Sequence, residues 1–109
     1  MRVEKTNAQM RKGVIELCVL SVISDKEVYT SDILSAMKDA ELIVVEGTVY
    51  PLLTRLKNEN ILKYKWEESQ SGPPRKYYSL TDEGKTALQQ LTDNWKQLAK
   101  SVNKLLSKN

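Results

Sequence analysis

Apolar positions mark seven segments along the chain, and their spacing assigns a type to each. Over residues 5–24, Val14, Ile15, Leu17, Cys18, Val19, Leu20, Val22 and Ile23 are apolar and go round the whole circumference of a helix. Such a helix must be covered on all sides. "YTSDILSAM" predicts a short helix capped by Thr30 or Ser31, with Ile33, Leu34 and Met37 inward. "ELIVVE" is a brief apolar run and predicts one short β-strand. In "GTVYPLLTRLKNEN", Val49, Leu52, Leu53 and Leu56 fall at i, i+3, i+4 and i+7, an inward stripe.

The next two runs alternate. Leu62, Tyr64 and Trp66 lie on one side of "ILKYKWEES", and Lys63, Lys65 and Glu67 on the other. After a turn at "SQSGPP", "RKYYSL" returns with Lys76, Tyr78 and Leu80 on one side, which predicts a β-hairpin. The last segment opens with Thr81 as N-cap and Asp82 and Glu83 favouring the helix dipole. Leu88, Leu91, Trp95, Leu98, Val102 and Leu105 then recur at alternating steps of three and four, an a/d pattern, while Lys96, Lys100, Lys104 and Lys108 line another side.

The order is helix, helix, short strand, helix, hairpin, long helix. The expected fold is mainly α with a small β-hairpin wing: a winged helix-turn-helix over residues 1–80 and a C-terminal dimerisation helix over 81–109. The first helix and the a/d seam both lack cover within so short a chain. A homodimer burying Val14, Leu17, Leu88, Leu91, Trp95, Leu98, Val102 and Leu105 satisfies both.

Composition removes most catalytic chemistry. With 109 residues there is room for one modest core. No His is present, and Cys18 is the single Cys, so the commonest general base, a zinc cluster and an intrachain disulfide are all excluded. Cys18 sits in "VIELCVLSVI" and reads as a small buried apolar residue. There is no glycine-rich phosphate loop, no catalytic motif and no cofactor signature, so an enzyme is not expected. No run approaches the roughly 18–20 apolar residues of a membrane span, and no secretory leader opens the chain, which points to a cytoplasmic protein.

Charge is more informative in its distribution than in its sum of +3. Residues 25–47 carry two Lys against six acids, whereas residues 48–80 carry six Lys/Arg against three Glu. The basic excess covers the helix from Gly47 onward and the hairpin. Opposite that helix's apolar stripe lie Pro51, Thr54, Arg55 and Asn58, with Thr48, Tyr50 and Lys57 on the flanks. Arg can grip guanine O6 and N7, Asn can do the same for adenine, and Thr offers a hydroxyl or a methyl. Gly47 leaves the N-terminal N–H groups open to a phosphate. Taken alone, this wheel suits a solvated surface helix equally well. The hairpin decides for double-stranded DNA, because Gly72, Arg75 and Lys76 supply a stiffened, cationic wing for phosphates or the minor groove.

"GTVYPLLTRLKNENIL" and "RKYYSLTDEGK" resemble the PadR-like transcriptional regulators, which commonly read G-T-[LV]-Y-P-x-L-x-R-L-x-x-x-G-[LI]-[LI] and R-K-Y-Y-x-L-T-x-x-G. The resemblance runs from about residue 10 to 105. It implies a cytoplasmic winged-helix homodimer that binds palindromic operator DNA, usually as a repressor. Thr48, Tyr50, Pro51, Thr54 and Arg55 match the recognition helix, and Gly72, Arg75 and Lys76 the wing. Three positions depart from the pattern. Thr30-Ser31 replace a Gly-Tyr pair, and Asn60 replaces a Gly while still tolerating a left-handed cap. Trp95 matches a Trp that lines a pore between subunits in drug-responsive members, where a small-molecule effector would meet the dimer seam. Its neighbours Leu98 and Ala99 offer no carboxylate for a cationic drug, and a seam anchor is the simpler role. Two alternatives stay open: a winged-helix protein-interaction module that never touches DNA, and a MarR-like or penicillinase-repressor-like regulator, against which the RKYY/LT-x-x-G run argues.

Overall fold

A computed structural model describes residues 1–108; Asn109, the last residue of the expected C-terminal unit, lies outside the described residues. The elements are α1 (Val3–Ile23), β1 (Val28–Tyr29), α2 (Thr30–Asp39), α3 (Glu46–Asn58), β2 (Leu62–Ser69), β3 (Gly72–Leu80) and α4 (Asp82–Leu106). The strands form one antiparallel sheet in the order β1-β3-β2. This is the mainly helical, winged arrangement expected, with three strands as the pattern showed but one of them in a different place.

The core forms where the apolar stripes meet. Val19, Leu20 and Ile23 of α1, Ile33 and Met37 of α2, and Val49, Leu53 and Leu56 of α3 are buried together with Val28, Leu62, Tyr78 and Leu80 of the sheet. Burying one such aliphatic side chain stabilises the fold by about 1.5–3 kcal/mol. Leu52 is half-buried, so the inward stripe of α3 is as its spacing predicts. α3 runs without a break through Pro51, whose missing N–H is tolerated in the early turns of the helix.

"ELIVVE" does not form a strand. α2 ends with Glu41 in the left-handed region (φ 62°), where the Leu42 N–H donates to the Met37 carbonyl (2.8 Å) and the Glu41 N–H to that of Lys38 (2.9 Å). The segment then alternates as a strand would, with Leu42 and Val44 packed on the core and Ile43 and Val45 exposed. Among the described residues no strand runs beside it to complete a ladder. The missing strand is Val28–Tyr29, which pairs with Tyr78 and Tyr77 of β3. Two residues are too few for periodicity to reveal. The cap of α2 also moves: Thr30 is already helical and buried, the cap is Tyr29, and the Asp32 carboxylate accepts from the Tyr29 N–H (3.0 Å).

One junction ties α3 to α4. Asn60 adopts the left-handed cap (φ 62°), and the Ile61 N–H reaches back to the Leu56 carbonyl (2.9 Å). Thr81 caps α4 as expected, accepting from the Gly84 N–H (2.9 Å), while its hydroxyl donates to the Asn60 carbonyl (2.7 Å). The Asn60 side chain donates to Glu83 (3.1 Å). Gly84 lies flush against the Ile61 carbonyl, where a Cβ would collide with backbone oxygen.

Gly84→Ala is therefore expected to lower stability by about 1–3 kcal/mol, read as a fall in the urea midpoint. Gly47→Ala, where a Cβ meets nothing within 4 Å, should shift stability by no more than about 0.5 kcal/mol. Equal effects at the two positions would show that the α3–α4 junction yields.

Candidate nucleic-acid interface

With Val49, Leu53 and Leu56 locked in the core, the opposite side of α3 has no freedom to turn inward. Thr48, Tyr50, Pro51, Thr54, Arg55, Lys57 and Asn58 are all exposed. Tyr50, Pro51, Thr54, Arg55, Asn58 and Glu59 line one open depression. Hydrogen-bonding groups and flat apolar surfaces thus lie on a single accessible face.

Arg55 does not stand free in that face. Its guanidinium meets Glu16 of α1 (3.0 Å) and both carboxylate oxygens of Glu59 (3.1 Å each). The hydrogen bonds to Glu59 and then Glu16 raise its pKa further above the ordinary guanidinium value. The spacing of α3 alone signals Glu59, four residues on. Glu16 could not be placed from sequence, because its partner lies on another helix.

The hairpin extends the same face. Its register pairs Leu62 with Leu80, Tyr64 with Tyr78 and Trp66 with Lys76, which puts these six on one side of the ribbon. Lys76 Nζ sits 4.3 Å from the Tyr64 ring centre and 5.1 Å from that of Trp66, and Lys57 of α3 lies 5.8 Å from the same Tyr64 ring. Cations over aromatic faces are held electrostatically while staying partly open to solvent. Burial, then Tyr64 and Tyr50, raise the pKa of Tyr78, which keeps its hydroxyl neutral.

The two wing cations do not act from one tip. Arg75 pairs with Glu67 and Lys76 with Trp66, several residues below the turn at Gln70–Ser71, and neighbouring strand residues point to opposite faces. Arg75 rests instead over Tyr29, 4.9 Å from the ring centre. Gly72 is exposed, but it belongs to β3 and lies opposite Ser69, so the turn is shorter than "SQSGPP". On the far side Lys65 bridges Glu27 (3.0 Å) and Glu67 (3.1 Å). Tyr64 and Trp66, read from sequence only as hairpin residues, join the face of α3 because strand register brings them there.

A model of the "Transcriptional regulator PadR-like family" matches residues 19–90, most of the chain and all of the face just described. The chain belongs to the PadR-like family. Among solved structures, a PadR-like transcription factor from Bacteroides fragilis is 50% identical, with a TM-score of 0.77 over 93% of this chain and 98% of that one. A PadR family regulator from Eggerthella lenta is 32% identical with a TM-score of 0.88, covering 98% and 94%. Bacillus subtilis PadR, solved in complex with operator DNA, shares the fold at 24% identity and a TM-score of 0.67, over 72% of this chain and 46% of that one. PadR-like proteins are transcriptional regulators, not enzymes. No helix among the described residues is long and apolar enough to cross a membrane.

A second surface of this PadR-like chain is apolar. Leu88 and Leu91 are half-buried against the chain's own core, as Val14 and Leu17 are half-buried on α1. From Trp95 onward the seam is bare: Trp95, Leu98, Val102 and Leu105 are all exposed. At its base a groove between α1, α2 and α4 is lined by Leu17, Cys18, Val22, Met37, Thr92 and Trp95 among others. Burial in that groove raises the Cys18 pKa above its ordinary 9.0.

A raised thiol pKa leaves less thiolate at neutral pH. Iodoacetamide should therefore label Cys18 more slowly in the native protein than in urea at pH 7–8, followed by mass spectrometry. The native rate should climb only at alkaline pH; matching rates at neutral pH would contradict the buried setting.

Proposed function

We propose that this chain is a homodimeric, cytoplasmic repressor that binds a palindromic DNA operator through α3 and the hairpin. One observation carries the reading: the outward side chains of α3 are exposed, and beside them Lys57 and Lys76 approach the ring of the exposed Tyr64 on the ribbon. α3 enters a major groove, where Arg55, Asn58 and Thr54 meet base edges and Thr48, Tyr50, Pro51 and Lys57 meet backbone and sugar. Lys76 lies toward the adjoining phosphates, with Gly72 near the wing's end and Arg75 on its outer side. The fold likeness to Bacillus subtilis PadR, solved on operator DNA, supports this docking.

The bare seam of α4 supports the dimer. A second copy covering Trp95, Leu98, Val102 and Leu105, and the flank of α1 with Val14 and Leu17, removes the largest run of exposed apolar side chains. Leu88 and Leu91 then serve the subunit's own core as much as the interface. Two-fold symmetry requires half-sites about 10 bp apart or a multiple of that spacing. An effector, where one acts, would meet the groove beside Trp95, whose lining residues include no carboxylate and suit an uncharged, apolar molecule.

Selecting bound duplexes from a random pool tests the function directly, and enrichment of an inverted repeat is the expected result. Arg55→Ala should then weaken operator binding by about 1–3 kcal/mol and relax preference at one position per half-site. Lys76→Ala should weaken operator and random duplex alike and lower the salt slope by about one, with a smaller loss for Arg75→Ala. Anisotropy titrations at several salt concentrations read all three, and a larger loss for Arg75→Ala would reverse the assigned orientation of the wing. For the dimer, Trp95→Asp or Leu98→Asp should give folded monomers by light scattering. Intact dimers in both variants would refute the α4 seam.

A further inference from the structure

The observation that the fold leaves unexplained is the pair of carboxylates on Arg55. Glu59 takes both of its 3.1 Å contacts from one terminal guanidinium nitrogen, Nη1, and Glu16 reaches the second terminal nitrogen, Nη2, at 3.0 Å from a different helix. Stability does not account for them. The three side chains are 41–51% exposed, and exposed ion pairs contribute only about 0–1 kcal/mol. Glu59 is also the C-cap of α3, where the helix dipole disfavours an anion, and Arg followed four residues later by Glu is the weaker order of such a pair. Glu16 shares a flank of α1 with the buried Val19, Leu20 and Ile23, one turn earlier, so packing of α1 fixes where its carboxylate sits.

We propose that Glu16 and Glu59 act as a specificity gate, occupying Arg55 with stand-ins for phosphate so that it engages DNA only where a guanine edge is offered. The inference rests on α3 being the DNA-facing helix. A carboxylate presents a guanidinium with the same kind of paired acceptors as a phosphate or a guanine O6/N7 edge. The trio carries a net charge of −1, and the other residues lining the depression around Arg55, namely Tyr50, Pro51, Thr54 and Asn58, are uncharged. If Arg55 contacts a phosphate, it gives up both carboxylate contacts and draws a third anion toward two existing ones. A neutral guanine edge accepts the same donors without that repulsion. Sequence-independent contact by Arg55 is thus suppressed more than base-specific contact.

The test is a double-mutant cycle, read by fluorescence anisotropy on a random-sequence duplex and on a duplex selected by the wild-type protein, at one salt concentration. Glu16→Gln should tighten random-duplex binding about two- to fivefold, the range of an exposed ion pair, and tighten the selected duplex less. The ratio between the two should narrow. In an Arg55→Ala background the same change should have no more than a residual effect, because the gate acts through Arg55. Glu59→Gln should behave alike. An equal gain with and without Arg55 would mean that only net charge changed, and would overturn the gate, as would weaker or unchanged binding by Glu16→Gln. Failure of the wild-type protein to bind any duplex at low salt would instead remove the DNA reading on which the gate rests.

Discussion

The burial of Val49, Leu53 and Leu56 sets the rotation of α3, and the rest of the surface follows from that rotation. A helix whose apolar stripe is locked against α2 and β2 can show solvent only one side. Here that side carries Tyr50, Pro51, Thr54, Arg55 and Asn58. The C-terminal end of α3 is equally constrained. Asn60 turns the chain, Thr81 bonds to the carbonyl it exposes, and Gly84 lets α4 approach the backbone at Ile61. Few adjustments could re-aim α3 without breaking the core or this junction.

The hairpin adds a second constraint, that of strand alternation. Because successive residues face opposite ways, the neighbours Arg75 and Lys76 serve different sides of the sheet. Lys76 shares Tyr64, Trp66 and Tyr78 with the face of α3, while Arg75 rests on Tyr29 of β1. The basic character of the wing is thereby divided, and the part beside α3 is held over aromatic rings. Arg55 is restrained in another way, by the carboxylate at the C-cap of its own helix and by one from α1. A surface of this kind has its cations held in place before any polyanion arrives.

Much of this was legible in advance wherever a long periodic pattern ran along a single element. The stripe of α3, the a/d seam of α4, the hairpin faces and the Thr81 cap all appear where spacing puts them. The failures share one physical cause. Leu42 to Val45 alternate like a strand but have no neighbouring strand to bond among the described residues, so the pattern describes burial without a ladder. Val28–Tyr29 has too little pattern of its own and becomes a strand because β3 passes beside it.

The sequence by itself determined which side of each long helix and strand is apolar, and so which residues of α3 must face outward and which of α4 lack cover. Those properties depend on the geometry of a single element, whose period is set by its own backbone. Only the tertiary structure decided what lies across from each exposed group: Glu16 on Arg55, Tyr29 on Arg75, and Tyr64 between Lys57 and Lys76. Such pairings depend on how elements are placed relative to one another. No local period carries that information, because it arises when several buried stripes settle against each other at once.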